Sequence, residues 1–171
     1  MLFYNKNYIV MTQDILRPLV LDEILVIKEI IDSKLIIVDA KNTFKAGINI
    51  GSCIKNDSIN ESSINTKEIL VKPLELIKNA SNAEIFNSNN LDEVCFTQAQ
   101  IIRFCENYSH QLNQPAANLF LFNENGEYFV ASVTVFSDGL YVQVTRFDDD
   151  DDWCGLNLHR VFVPENATLA A

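Results

Sequence analysis

EYFVASVTVF (127–136), the triplet Ser137-Asp138-Gly139, and LYVQVTRF (140–147) form the stretch on which the reading of the fold turns. β-Branched and aromatic residues fill both runs, and Ser-Asp-Gly tolerates the positive φ of a tight turn, so the pair predicts an antiparallel hairpin. In the second run Leu140, Val142 and Val144 point one way and Gln143 and Thr145 the other, which predicts one core face and one largely solvated face. NLFLF (118–122) precedes the hairpin across a second turn sequence, Asn123-Glu124-Asn125-Gly126, and HRVFVP (159–164) follows it. The natural arrangement of the four segments is an antiparallel β-meander over about residues 118–164.

Upstream, FTQAQI marks the start of a helix over about residues 98–112. Thr97 is placed to cap it, Gln100 to reach back to the cap, and Phe96 and Ile101 to close a hydrophobic staple. Ile101, Phe104, Cys105, Tyr108 and Leu112 then form an apolar stripe at helical spacing, and Pro115 ends the run. The predicted class is α+β, a meander packed on this capped helix, with a smaller mixed amino-terminal part. A single domain over 1–171 is expected, with a possible subdivision near 80–95. Isoleucine stops at Ile102, and later apolar positions are filled with Val, Phe, Leu and Tyr.

The amino-terminal half is less patterned. TQDILRPLVL suits a helix through Leu21, whereas ILVIKEI and LIIVDA on either side of Ile31-Asp32-Ser33-Lys34 favour two strands after residue 23. FKAGINI (44–50) reads as a further strand and KNDSINESSINTK (55–67) as a polar loop. Two short helical turns are expected next, one begun by Pro73 and one by the Ser81-to-Glu84 capping pattern.

With 171 residues, 48% of them hydrophobic and 21% charged, the chain can bury a core without disulfides or metals. No apolar run is long enough to cross a bilayer as a helix, since Asp22, Glu23, Lys28 and Glu29 interrupt the richest segment. The amino terminus has no basic stretch before a long apolar core, so no signal peptide is expected, and a cytoplasmic location follows. Four cysteines without CxxC spacing fit a reduced compartment. The net charge of −10 is unevenly placed: residues 1–90 contribute −1, and residues 91–171, with 3 Lys or Arg against 12 Asp or Glu, contribute −9. Such a carboxy-terminal half repels nucleic acid and suits a basic protein partner.

FDDDDDWCGLNLHR (147–160) holds the densest chemistry. Cys154 precedes His159 by five residues, as Cys105 precedes His110, and these four side chains would suffice as ligands for a structural zinc. No close ligand pair anchors such a site, and on a helix an offset of five turns the two side chains ~140° apart. The plainer expectation is that Cys105 belongs to the apolar stripe, His110 lies on the helix surface and Cys154 packs beside Trp153. Asp148, Asp149, Asp150, Asp151 and Asp152 lack the glycine and glutamate positions of an EF-hand loop. They fit a solvated acidic connection between the last two strands. A dyad of Cys154 with His110, or of Cys105 with His159, would need the fold to unite them, and the aspartates disfavour a thiolate at Cys154. There is no GxSxG elbow and no glycine-rich phosphate loop.

Tyr141 and Phe147 on the solvated face, with Trp153 and the five aspartates at its end, resemble in composition a protein-binding patch with a charged rim. The expected function is therefore a non-catalytic accessory or inhibitor-like protein, of the kind found in bacteria and mobile elements, that binds a basic protein through its acidic half. The alternatives are a zinc protein using Cys105, His110, Cys154 and His159, and a self-assembling structural protein that associates through a sheet edge or the aromatic face.

Overall fold

The computed structural model describes residues 15–31, 34–55, 59 and 65–169. In chain order its strands are β1 Leu16–Pro18, β2 Leu25–Ile27, β3 Gly47–Ile50, β4 Ile69–Leu76, β5 Ala80–Ser81, β6 Asn118–Glu124, β7 Glu127–Phe136, β8 Gly139–Arg146, β9 Asp152–Trp153 and β10 Arg160–Pro164. Two α-helices, α1 Asn82–Ile85 and α2 Gln98–Tyr108, lie between β5 and β6. Among the described residues no helix is long and apolar enough to cross a membrane.

The α+β class holds, with a mixed, mostly antiparallel sheet in the order β1-β4-β10-β6-β7-β8-β3 and β2 also on β4. β6, β7 and β8 form the expected meander. Asn125 and Gly126 both take positive φ, 54° and 81°, matching the right-handed twist of the strands they join. The fourth segment departs from the meander. β10 crosses back and inserts between β4 and β6, antiparallel to the first and parallel to the second. Its apolar residues fill both faces there, with Val161, Phe162 and Val163 all fully buried, which a place beyond β8 at the sheet's margin would not provide.

The amino-terminal part is extended. β1 pairs with the end of β4 and β2 with its beginning, so the two act as one interrupted strand and no helix forms over the described part of the segment ending at Leu21. Of the two strands expected after residue 23, β2 forms and LIIVDA does not. It makes a 3₁₀ turn at Ile37–Asp39, where Gln98 at the start of α2 accepts a hydrogen bond from the Ile37 amide at 2.9 Å. The strand expected at 44–50 is present as β3, and the polar loop expected at 55–67 falls largely outside the described residues.

Pro73 stands inside β4 rather than at a helix start. Its carbonyl accepts from Leu19 at 3.1 Å, so its backbone nitrogen also faces the gap between β1 and β2. The missing N–H therefore costs no bond to β10. The second expected turn is α1, with a complete Ser81–Glu84 capping box.

Both faces of the sheet are covered at its centre. On one face Phe120, Phe122, Phe129, Val142 and Phe162 pack under the apolar stripe of α2. Phe104 from the helix meets Phe120 and Phe162 at centroid separations of 5.3 and 4.8 Å. The Thr97–Gln100 capping box is formed, and both residues of the expected staple, Phe96 and Ile101, are buried. α2 ends at Tyr108 and tightens into a 3₁₀ turn over Ser109–Gln111. On the other face Leu119, Leu121, Val130, Val161 and Val163 lie against Ile85, Phe86 and Val94. This second layer stops short of β8, so Gln143 stays exposed while Tyr141 and Thr145 are half-buried.

Thr97→Ala should lower unfolding free energy by about 1 kcal/mol, and Phe120→Ala by about 4 kcal/mol, measured by urea unfolding.

Candidate functional site

The acidic connection is a strap fastened at both ends. After β8, the Asp149 carboxylate accepts the Arg146 amide at 3.0 Å and the Asp151 amide donates to the Asp149 carbonyl at 2.8 Å, which turns the chain. β9 then pairs with β5, Ser81 opposite Asp152 and Ala80 opposite Trp153. β5 leads directly into α1, so the strap is tied to the second layer. The Trp153 indole N–H donates to the Asn82 side-chain oxygen at 2.7 Å, and the Gly155 amide donates to Asn79 Oδ1 at 2.9 Å. Gly155 has no room for a side chain, because a Cβ there would lie 2.5 Å from the backbone of Lys78.

Asp151, Asp152 and Trp153 form one wall of a groove of about 180 Å³ whose other lining is Ser132, Gln143 and Thr145 on the open part of the sheet. Ser132 and Gln143 are direct cross-strand partners. A second hollow of about 240 Å³ contains Phe147 and Asp148 together with Glu127, Tyr128 and Arg146. There Phe147 meets Tyr128 edge to face at 6.3 Å, and Arg146 pairs with Glu127 at 3.6 Å. Asp150 is exposed, and Tyr141 lies at the far end of β8 against Phe136 at 5.9 Å. The aspartates, Trp153 and Phe147 thus share one end of the sheet, while Tyr141 stands apart. Carboxylates beside an indole ring and neutral hydrogen-bonding side chains are a chemical match for an Arg or Lys side chain.

The Cys and His residues are dispersed. Cys105 is 1% exposed within the helix-side core, where burial pushes its thiol pKa up. Burial beside Asp92 likewise pushes Cys95 up to about 12. Neither has the lowered pKa of a nucleophilic thiol. His110 is exposed and hydrogen-bonds Glu23 at 2.5 Å, and with Gln111 it holds the Glu23 carboxyl below its ordinary pKa, Gln111 having the larger effect. His159 is buried, with its ring edge-on to Trp153 at 5.3 Å, and its Nδ1 accepts the Ala117 amide at 3.0 Å. Burial lowers its pKa, and an Nδ1 that accepts must be unprotonated. Cys154 is half-buried between Trp153 and Gly155 in the chain. Among the described residues no group of three or more His, Cys, Asp or Glu side chains is placed to hold a metal, so the four proposed zinc ligands do not form a set.

Two members of the site carry no mark in the sequence. Ser132 becomes visible only once β7 and β8 are put in register, and Asn82 lies 71 residues from the indole it holds. Comparison with protein-family models, characterised proteins and solved structures finds no match, so the site is read from its own chemistry.

Gly155→Ala should cost about 2 kcal/mol by forcing the strap away from Lys78, seen as a lower urea midpoint. For His159 the folded pKa lies below the unfolded value, so the unfolded chain binds its proton first. Its contribution to stability is full above about pH 6.5 and is lost as pH falls through the lowered folded pKa. His159→Asn, whose side-chain oxygen stands where Nδ1 does and can still accept the Ala117 amide, should remove that part of the fall in urea midpoint below about pH 6.5.

Proposed function

We propose that this chain is a non-catalytic binding protein that engages a basic protein partner through its acidic carboxy-terminal half. The observation that carries the reading is the groove between the strap and the open sheet face, where Asp151, Asp152 and Trp153 stand over Gln143, Thr145 and Ser132. Its walls offer charge, an aromatic face and neutral hydrogen-bonding groups to a cationic side chain, and the strap that carries them is already ordered by its pairing with β5. Pre-ordering reduces what binding must fix.

The field supports the same reading at longer range. Residues 91–171 carry a balance of −9, which accelerates encounter with a positive surface more than it deepens the bound state. The partner class is an Arg- or Lys-bearing protein surface, as an inhibitor or accessory protein would meet.

A short arginine- and lysine-rich peptide titrated into the isotopically labelled protein should shift the signals of Gln143, Thr145 and the Trp153 indole. Its association rate should fall roughly tenfold on going from low to high salt, and by a similar factor when Asp148 to Asp152 are all replaced by Asn. A rate indifferent to both changes would remove the basis of the reading.

A further inference from the structure

The margin of the sheet formed by β3 has a character opposite to that of the strap. β3 is the last strand in the sheet order, parallel to β8, and among the described residues no strand pairs with its other side. In a parallel ladder alternate residues serve alternate neighbours. The Gly51 amide donates to the Val144 carbonyl at 2.9 Å, so Asn49 and Gly51 serve β8. Ile48 and Ile50 therefore direct their backbone N–H and C=O groups outward.

Beside this margin is a groove of about 430 Å³. Val38, Phe44, Ile48 and Ile50 supply its apolar side chains, and Gly47, Lys41 and Lys45 complete the lining. Both lysines are exposed, and neither makes an ion pair with a described carboxylate. Lysines at a sheet margin often serve only to discourage pairing with another chain. Here they border an apolar groove that runs along unpaired backbone groups, which is the arrangement used to accept an added strand.

We propose that the free margin of β3 docks an extended segment of another protein, one that carries both apolar and carboxylate side chains at every second residue, so that they share one face. The segment's backbone would meet the outward groups of Ile48 and Ile50, its apolar side chains would enter the groove, and its carboxylates would reach Lys41 and Lys45. Charge complementarity selects this occupant, because a basic segment would be repelled by the two lysines. The surface is separate from the acidic strap and does not depend on that site's function.

The test uses the full chain, isotopically labelled, titrated with a short peptide of Val-Thr-Glu-Thr repeats, whose valines and glutamates share one face, and then with its valine–lysine counterpart. The glutamate peptide should move the amide signals of Ile48 and Ile50, and the lysine peptide should leave them in place. Lys41→Ser with Lys45→Ser should weaken the glutamate peptide roughly fivefold, the expected loss for two exposed ion pairs. Absence of binding, shifts confined to other parts of the protein, or equal response to both peptides would overturn the proposal. So would a double variant that binds the glutamate peptide unchanged while itself associating, since the lysines would then be guards of a bare edge.

Discussion

Burial of β6 on both faces is the constraint from which the rest of the architecture follows. Leu119, Phe120, Leu121 and Phe122 are all fully buried, with the two phenylalanines directed into the core under α2 and the two leucines into the core under α1. A strand with no solvated face needs a covering layer on each side and a neighbour along each margin. β7 supplies one neighbour and β10 the other, and β10 is itself buried on both faces. The stacking of Phe120 on Phe162, at 5.0 Å and nearly parallel, joins these two strands across their parallel ladder. The second layer that covers the leucines is also what anchors the acidic strap, through β5 and Asn82. Core and candidate site therefore share one support.

Local chemistry was legible in the sequence wherever neighbours in the chain are neighbours in space. The capping boxes at Thr97 and Ser81, the Asn125-Gly126 turn and the β6–β7–β8 meander each depend on residues a few positions apart. Long-range placement was not legible. The apolar pattern of 160–164 specifies a buried strand but carries no record of which partners it will meet. NLFLF did contain a clue, since an uninterrupted apolar run implies two buried faces. The alternation of LYVQVTRF pointed instead to one solvated face, which is true of β8 because the second layer ends before reaching it. Pro73 was misleading for a related reason. Its fixed φ and missing N–H suit the first turn of a helix, yet they also suit a strand position facing a gap in its neighbour, and only the pairing of β1 and β2 reveals that gap.

The candidate site divides in the same way. The run of aspartates and the adjacent tryptophan were evident, and so was their place between β8 and β10, though not that Asp152 and Trp153 would form a short strand of their own. Their opposite wall was not evident, because Ser132 and Gln143 gain meaning only from register, and Asn82 from a contact spanning half the chain. The repeated Cys-to-His spacing illustrates the converse. It is regular in sequence, but Cys105 is enclosed by the helix-side core while His159 is fixed by Ala117 beside Trp153. Equal spacing along the chain carries no geometric content when one pair runs from a helix into a 3₁₀ turn and the other from the strap to the residue before β10.

The insertion of β10 between β4 and β6 has a consequence for how the molecule comes into being. β4 and β6 both precede in the chain the strand that separates them, so neither has its shared neighbour until residues 160–164 are in place. Both cores include residues of β10, and the parallel ladder it forms with β6 spans about forty residues of chain, a long-range pairing of the kind that slows folding. Until that pairing is made, β6 lacks one of its two neighbours. The net charge of −9 over residues 91–171 opposes association of copies through that margin. The charge that we propose meets a partner thus also opposes association of one copy with another.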